Sequence, residues 1–359
     1  AGVVWINGTN MFDAAAGFGG YRESGFGREG GREGLHEYLK LVDQKSGAAR
    51  SSTNASKATT AAFSVSPVSA ATDGATGVPL LDHTAKFYIG GKQARPDGGS
   101  SYTIYNASGK PVSQAGLGNR KDIRNAVEAA HAAKGWSGYT AHNRAQVLFF
   151  LAENLEQRAD EFAQRLRSLL GVTATQAKNE VAQSVARIMF YAAHADKYDG
   201  AVHATRSRNV TLAMPEPWGV MGILCPDEAP LLAMISLVMP SIAMGNRVVV
   251  VPAPATALIA TDFYQVLETS DVPGGVINIV TGDRNTLAKT LAEHDDVDAL
   301  WYCGDATGSA MVERASAGNL KATWTDGGVA RDWRAESAQG REFLTRATQI
   351  KNIWVPYGE

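Results

Sequence analysis

Cysteine is nearly missing from this chain: 359 residues contain two, Cys225 and Cys303. Two thiols so far apart make no disulfide framework and fit a reducing, cytoplasmic compartment. Excess charge of either sign is missing as well. The 34 basic and 36 acidic side chains leave a net charge of −2, so there is no broad basic surface for nucleic acid. No apolar run is long enough for a bilayer. The longest, Leu231 to Met244, is interrupted by Pro240 and reads as a buried helix, so no membrane partner is expected. Ala1 to Trp5 has neither a charged n-region nor a cleavage site, so no signal peptide is expected. The histidines, His36, His83, His131, His142, His194, His203 and His294, have no ligand spacing, and no metal is expected. What remains, 45% hydrophobic and 19% charged residues, suits one or two packed globular domains.

The chain divides into three parts. Residues 1–45 open with a strand, Val3 to Ile6, followed by a glycine-rich loop from Gly17 to Gly34 and a short helix or strand end from Leu35 to Val42. So short a piece cannot bury a core alone and must dock on something else. Residues 46–84 are rich in Ser, Thr and Ala and read as a linker. Order resumes at Phe87. Phe87-Tyr88-Ile89, Gly90-Gly91 and Lys92-Gln93-Ala94 predict a hairpin, and Tyr102 to Tyr105 alternates like another strand. Ile123, Ala126, Val127 and Ala130 share one helical face. Two longer helices follow, Ala141 to Leu170 and Thr173 to Tyr198. Phe149, Ala152, Leu155, Phe162 and Leu166 mark the buried stripe of the first.

After Trp218 the pattern alternates. Val220–Leu224, Arg247–Val251, Val276–Val280 and Ala299–Tyr302 are apolar runs of strand length. Between and after them, Pro230–Met244, Ala257–Leu267, Asn285–Glu293 and Thr307–Ala317 have helical character. This βαβα order predicts a Rossmann-like, doubly wound parallel sheet with N-terminal helices. The end is a lone strand, Gln349 to Val355, closed by Pro356.

Two groups of motifs resemble signatures of the aldehyde dehydrogenase superfamily, in inverted order. Val3-Val4-Trp5-Ile6-Asn7 and Gly17-Phe18-Gly19-Gly20-Tyr21-Arg22 through Ser24-Gly25-Phe26-Gly27-Arg28-Glu29 resemble the closing part of such a domain. Pro217-Trp218-Gly219-Val220, Pro240 to Asn246, Val272 to Gly282 and Asn319-Leu320-Lys321 resemble its first half. The resemblance implies that residues 1–45 end a preceding catalytic domain. It makes residues 85–359 a truncated, degenerate second copy, with a Rossmann-like part at about 120–328 and an oligomerisation strand, part of a β-flap, at about 348–356. A full copy followed by a shortened one is similar to the bacterial family-16 aldehyde dehydrogenases.

The family's chemistry needs a thiolate nucleophile, an oxyanion donor, a general base and bound NAD. The resemblance places the oxyanion asparagine at Glu228 and the general base at Thr325. Neither Cys225 nor Cys303 matches the nucleophile, so no catalytic residue is expected here. The family's ribose-binding lysine and glutamate fall on Val251 and Pro254. Its pyrophosphate-side serine falls on Asp305. Loss of hydrogen bonds to charged groups costs roughly 1.5–3 kcal/mol each, and a carboxylate beside a dianion adds repulsion. Together these should weaken NAD binding by about a thousandfold or more, so no cofactor is expected in this chain and NAD is expected in the missing catalytic domain. The resemblance also implies assembly. The family's terminal strand adds to a partner subunit's sheet, which marks Gln349, Ile350, Ile353, Trp354 and Val355 as interface residues. Their partner would be the catalytic domain of the same polypeptide, within a homodimer. The alternative is an NAD(P)-binding module that helps oxidise aldehydes to carboxylic acids.

Overall fold

The computed structural model describes residues 1–36, 38–39 and 84–357. The opening segment holds strand β1 (Val3–Trp5) and helix α1 (Gly31–Leu35). Five short strands come next: β2 (Thr84–Ala85), β3 (Phe87–Ile89), β4 (Lys92–Ala94), β5 (Ser101–Tyr105) and β6 (Pro111–Gly116). Four helices follow: α2 (Arg120–Ala132), α3 (Ala141–Gln157), α4 (Ala159–Leu170) and α5 (Ala174–His194). Strands β7 (Ala201–His203) and β8 (Asn209–Pro217) lead to the alternating part. That part runs β9 (Val220–Leu224), α6 (Pro230–Ala243), β10 (Arg247–Val251), α7 (Ala257–Asp262), α8 (Tyr264–Glu268) and β11 (Ile277–Ile279). It continues with α9 (Arg284–Glu293), β12 (Ala299–Tyr302), α10 (Ala306–Ser316) and β13 (Ala322–Thr325). Helix α11 (Arg341–Arg346) and strand β14 (Thr348–Pro356) close the chain.

The main sheet has seven strands in the order β13-β12-β9-β10-β11-β3-β4. Its first five strands are parallel, and β3 and β4 add antiparallel at one edge. The two faces pack into two cores. Met221, Ile223, Val248 and Val250 enter one, and Val220, Leu224, Val249 and Val251 the other. Period-two alternation places these neighbours on opposite faces, and helices cover both. The expected doubly wound α/β architecture is what the chain adopts. Helix α6 is buried all round, as its largely apolar sequence predicts. Gly219, at φ +134°, makes the entry to β9; a Cβ there would lie 2.1 Å from Asp298 Oδ2, so no other residue fits.

Several boundaries differ from expectation. The predicted helix from Ala141 to Leu170 is two, parted at Arg158, whose φ of −104° and ψ of 15° leave the helical region. Arg158 N–H donates to Leu155 O at 3.2 Å, a tightened last turn. Phe149 is 39% exposed. The buried stripe runs through Leu148, Leu151, Ala152 and Leu155, and Phe149 sits one residue, a hundred or so degrees, around from it. Ala257 to Leu267 likewise divides into α7 and α8 at Phe263. Helix α1 ends at Leu35, where the predicted element begins. Strands β6, β7, β8 and β13 and helix α11 were not anticipated. The linker at 46–84 lies outside the described residues except for Thr84, which opens β2.

A second sheet matters more for the opening segment. It has the order β1-β14-β8-β7. Strand β14 pairs antiparallel with β8 along nine residues, from Thr348 opposite Pro217 to Pro356 opposite Asn209. On its other side it pairs parallel with β1: Val3 with Asn352, Val4 with Ile353, Trp5 with Trp354. Among the described residues, no helix is long and apolar enough to cross a membrane.

Candidate functional site

Parallel α/β sheets bind ligands in the crevice beyond the carboxyl ends of their strands. All five positions singled out for cofactor and catalysis converge on that edge. Glu228 lies four residues past the end of β9, Val251 ends β10, Pro254 follows it, Asp305 follows β12 and Thr325 ends β13. Glu228 is exposed, at a turn where Ala229 takes the left-handed φ of 44° before Pro230. Val251 is buried without a polar atom to offer. The Pro254 carbonyl accepts from Tyr102 Oη at 3.1 Å. Thr325 Oγ1 donates to Glu313 Oε1 at 2.6 Å.

Two of the helices that begin at this edge, α9 and α10, already carry a carboxylate at their N-termini. Asp305 Oδ1 accepts from Gly308 N at 2.6 Å, capping α10. Asp283 Oδ1 accepts from Thr286 N at 2.8 Å, capping α9. These caps take up backbone donors and dipole charge that would otherwise face an anion. The room is filled as well. Tyr302 Oη donates to Asn285 Oδ1 at 2.6 Å. The same hydroxyl would lie 1.8 Å from a Cβ on Gly308, so it rests on the first turn of α10. Arg284 reaches across the strand ends to Asp227, Nη2 to Oδ1 at 2.5 Å, with its side chain only 12% exposed. The pairing of Arg284 with Asp227 and the placement of Tyr302 carry no sequence signal, because both depend on loops from separate strands.

The cysteines lie side by side. Tyr302 pairs with Leu224, so Cys303 and Cys225 are the next residues of adjacent strands. Burial pushes the Cys225 thiol up to about 12. Burial, then the nearby Asp326 carboxylate, raises Cys303 also. A thiol so held is not the thiolate that attacks carbonyl carbon. Burial raises Asp326 above the ordinary carboxylate range.

The predicted interface residues form a separate site on β14. Gln349 and Trp354 are buried; Ile350, Ile353 and Val355 are half-buried. Ile353 and Trp354 lie opposite β1, whereas Gln349, Ile350 and Val355 pair with β8 alone. The strand thus caps the sheet of its own domain while it also receives the opening segment. The residues that fasten this seam escaped the sequence reading. Ile6 N donates to Trp354 O at 3.0 Å and Asn352 N to Gly2 O at 2.9 Å. Buried Arg28 donates to Ile350 O from Nε at 3.0 Å and from Nη2 at 2.6 Å. Its Nη1 donates to the carbonyls of Gly20, Phe26 and Gly27. Tyr21 Oη donates to Glu216 Oε2 at 2.9 Å, and burial followed by that carboxylate raises the phenol's pKa. Glu33 and His203 meet at 3.2 Å on the far strand. Arg28 sits within the quoted Ser24-to-Glu29 motif, but Arg22 and Arg32 share its glycine-rich loop, and nothing in the sequence singles it out.

Comparison with known proteins follows the same division. The family model for the aldehyde dehydrogenase family matches residues 1–43 and 95–332. Mouse cytosolic 10-formyltetrahydrofolate dehydrogenase is 31% identical over 246 residues, which are 66% of this chain and 27% of that protein. Alpha-ketoglutaric semialdehyde dehydrogenase of Bacillus subtilis is 32% identical over 198 residues, 55% of this chain and 41% of that one. Among solved structures, a putative aldehyde dehydrogenase from Burkholderia cenocepacia superposes with a TM-score of 0.66 at 26% identity, covering 68% of this chain and 51% of the other. The chain therefore spans between about a quarter and a half of the length of these relatives.

Proposed function

The chain belongs to the aldehyde dehydrogenase family, and from that membership we propose that residues 85–359 are a non-catalytic second copy whose work is assembly. In this reading residues 1–45 are the end of a catalytic copy of the same cytoplasmic polypeptide, of the tandem, family-16 kind. The second copy plays the part of a subunit and adds its terminal strand to the catalytic copy's sheet, the pair then forming a homodimer. One observation carries the reading: β14 accepts β1 as a parallel neighbour. Such strand addition ties two units through main-chain bonds.

The crevice supports the same conclusion. Its residues do not suit a dinucleotide. Val251 and Pro254 offer no charged group to a ribose, and Asp305 and Asp283 already cap the helices a pyrophosphate would use. Arg284 and Tyr302 occupy the space beyond the strands. NAD belongs, on this reading, to the catalytic copy alone.

The rival reading, an NAD(P)-binding module that takes part in aldehyde oxidation, rests on the relatives, which are named as dehydrogenases. Calorimetric titration of the chain with NAD+ separates the two. No saturable binding below about millimolar is expected, given two or more lost charged contacts. A micromolar affinity would overturn the proposal. Removing residues 348–357 tests assembly: residues 1–36 should become open to protease, and unchanged resistance would refute the docking role.

A further inference from the structure

We propose that the cavity along the seam binds a small aromatic carboxylate. The cavity is about 810 Å³, within the roughly 300–1,000 Å³ that small-molecule sites occupy. It lies between the opening segment and residues 85–359, and its lining includes Trp301 and Trp324, the residues that precede Tyr302 and Thr325. Phe26 contributes from one side; Trp218, Trp301 and Trp324 contribute from the other. Phe26 and Trp218 meet edge to face at 6.2 Å, as do Trp301 and Trp324 at 4.9 Å. Flat apolar walls of this kind take a flat apolar body.

The charged groups at the rim are not balanced. The two lining carboxylates are engaged, Glu33 with His203 at 3.2 Å and Glu342 with Arg331 at 3.4 Å. Arg341 and Arg346, one helical turn and a little more apart on α11, have no carboxylate within 4.0 Å among the described residues. Arg346 lies over Trp324 with its Cζ 5.7 Å from the ring centroid, so the guanidinium is at the edge of the aromatic wall. Guanidinium groups so placed pair with a carboxylate.

Gln349 lines the cavity too, but its Oε1 is sealed from solvent and offers a ligand nothing. The carboxylate is therefore placed on α11 and the ring against the tryptophans.

The probe is 2-naphthoate, titrated into the 359-residue chain by calorimetry with tryptophan quenching in parallel. Saturable one-to-one binding is expected. The neutral 2-naphthamide should bind at least tenfold more weakly, about 1.4 kcal/mol. The exposed pair Arg341→Gln with Arg346→Gln should weaken the acid by a similar factor and leave the amide unchanged. No saturation at millimolar probe would overturn the proposal, and that includes a cavity filled by polypeptide in solution. Equal binding of acid and amide to the unaltered chain would overturn it also, whether or not the variants fold.

Discussion

Arg28→Met should loosen the opening segment from the terminal strand while the seven-stranded sheet stays intact. Methionine keeps most of the apolar stem and removes the guanidinium. Two hydrogen bonds of that group cross the seam, both to Ile350 O. Hydrogen bonds from a charged donor contribute about 1.5–3 kcal/mol each. Because the two share one acceptor, we take the lower figure for each, about 3 kcal/mol together. The equilibrium for local undocking should then rise about a hundredfold. Amide hydrogen exchange reads this directly. The Ile6 amide, bonded to Trp354 O at 3.0 Å, should exchange about a hundredfold faster through local opening. The amides of β10, at the centre of the main sheet, should be unchanged. Arg28→Lys should fall between, since an ammonium keeps the charge without the fork. An unchanged Ile6 amide would refute the argument. Equal acceleration throughout would refute it in another way, by making segment and domain one cooperative unit.

Three further outcomes test other parts. Burial holds Cys225 as a thiol, with its pKa up to about 12, and raises Cys303 as well; the native protein should not react with Ellman's reagent at pH 8, and should titrate two thiols once denatured. Rapid native reaction would remove the case against a nucleophile. Burial pushes the Lys321 amine from 10.5 down to about 8. Across that window the unfolded chain binds the extra proton, so stability rises with pH. Wild type should gain on Lys321→Met in denaturant unfolding by about 1.4 kcal/mol per pH unit between pH 8 and 10; a flat difference would contradict it. Asn352 is fully buried, and neither its Oδ1 nor its Nδ2 has a partner among the described residues. Asn352→Leu should therefore stabilise the chain by about 1–3 kcal/mol, read as a higher urea midpoint; a lower midpoint would show that the amide is satisfied.

The legibility of this chain varied with the range of the interactions concerned. Runs such as Val220–Leu224 and Arg247–Val251 read correctly as strands because burial on both faces leaves every position apolar. The break at Arg158 did not show, since nothing in its local composition opposes a helix; a tightened turn and the packing on either side part α3 from α4. Strand β8 was missed because Pro215 and Pro217 argue against a strand. They sit at its end, opposite Ile350 and Thr348. In the crevice, the positions of Glu228, Val251, Pro254, Asp305 and Thr325 followed from motif spacing. Arg284 closing on Asp227 did not.

From the sequence alone came the family resemblance, the doubly wound sheet and the side chains that the strand-end crevice lacks. Those follow from local patterns: alternation, glycine at special backbone angles and the residue present at each motif position. The tertiary structure alone decided where the opening segment goes. Strand β1 has three residues, too few to hold a place by themselves. It lies on β14 because Arg28, Tyr21 and Glu33 reach groups that are more than 150 residues away in the chain. Contacts of that separation leave no period or spacing in a sequence, and they create both the seam and the cavity beside it.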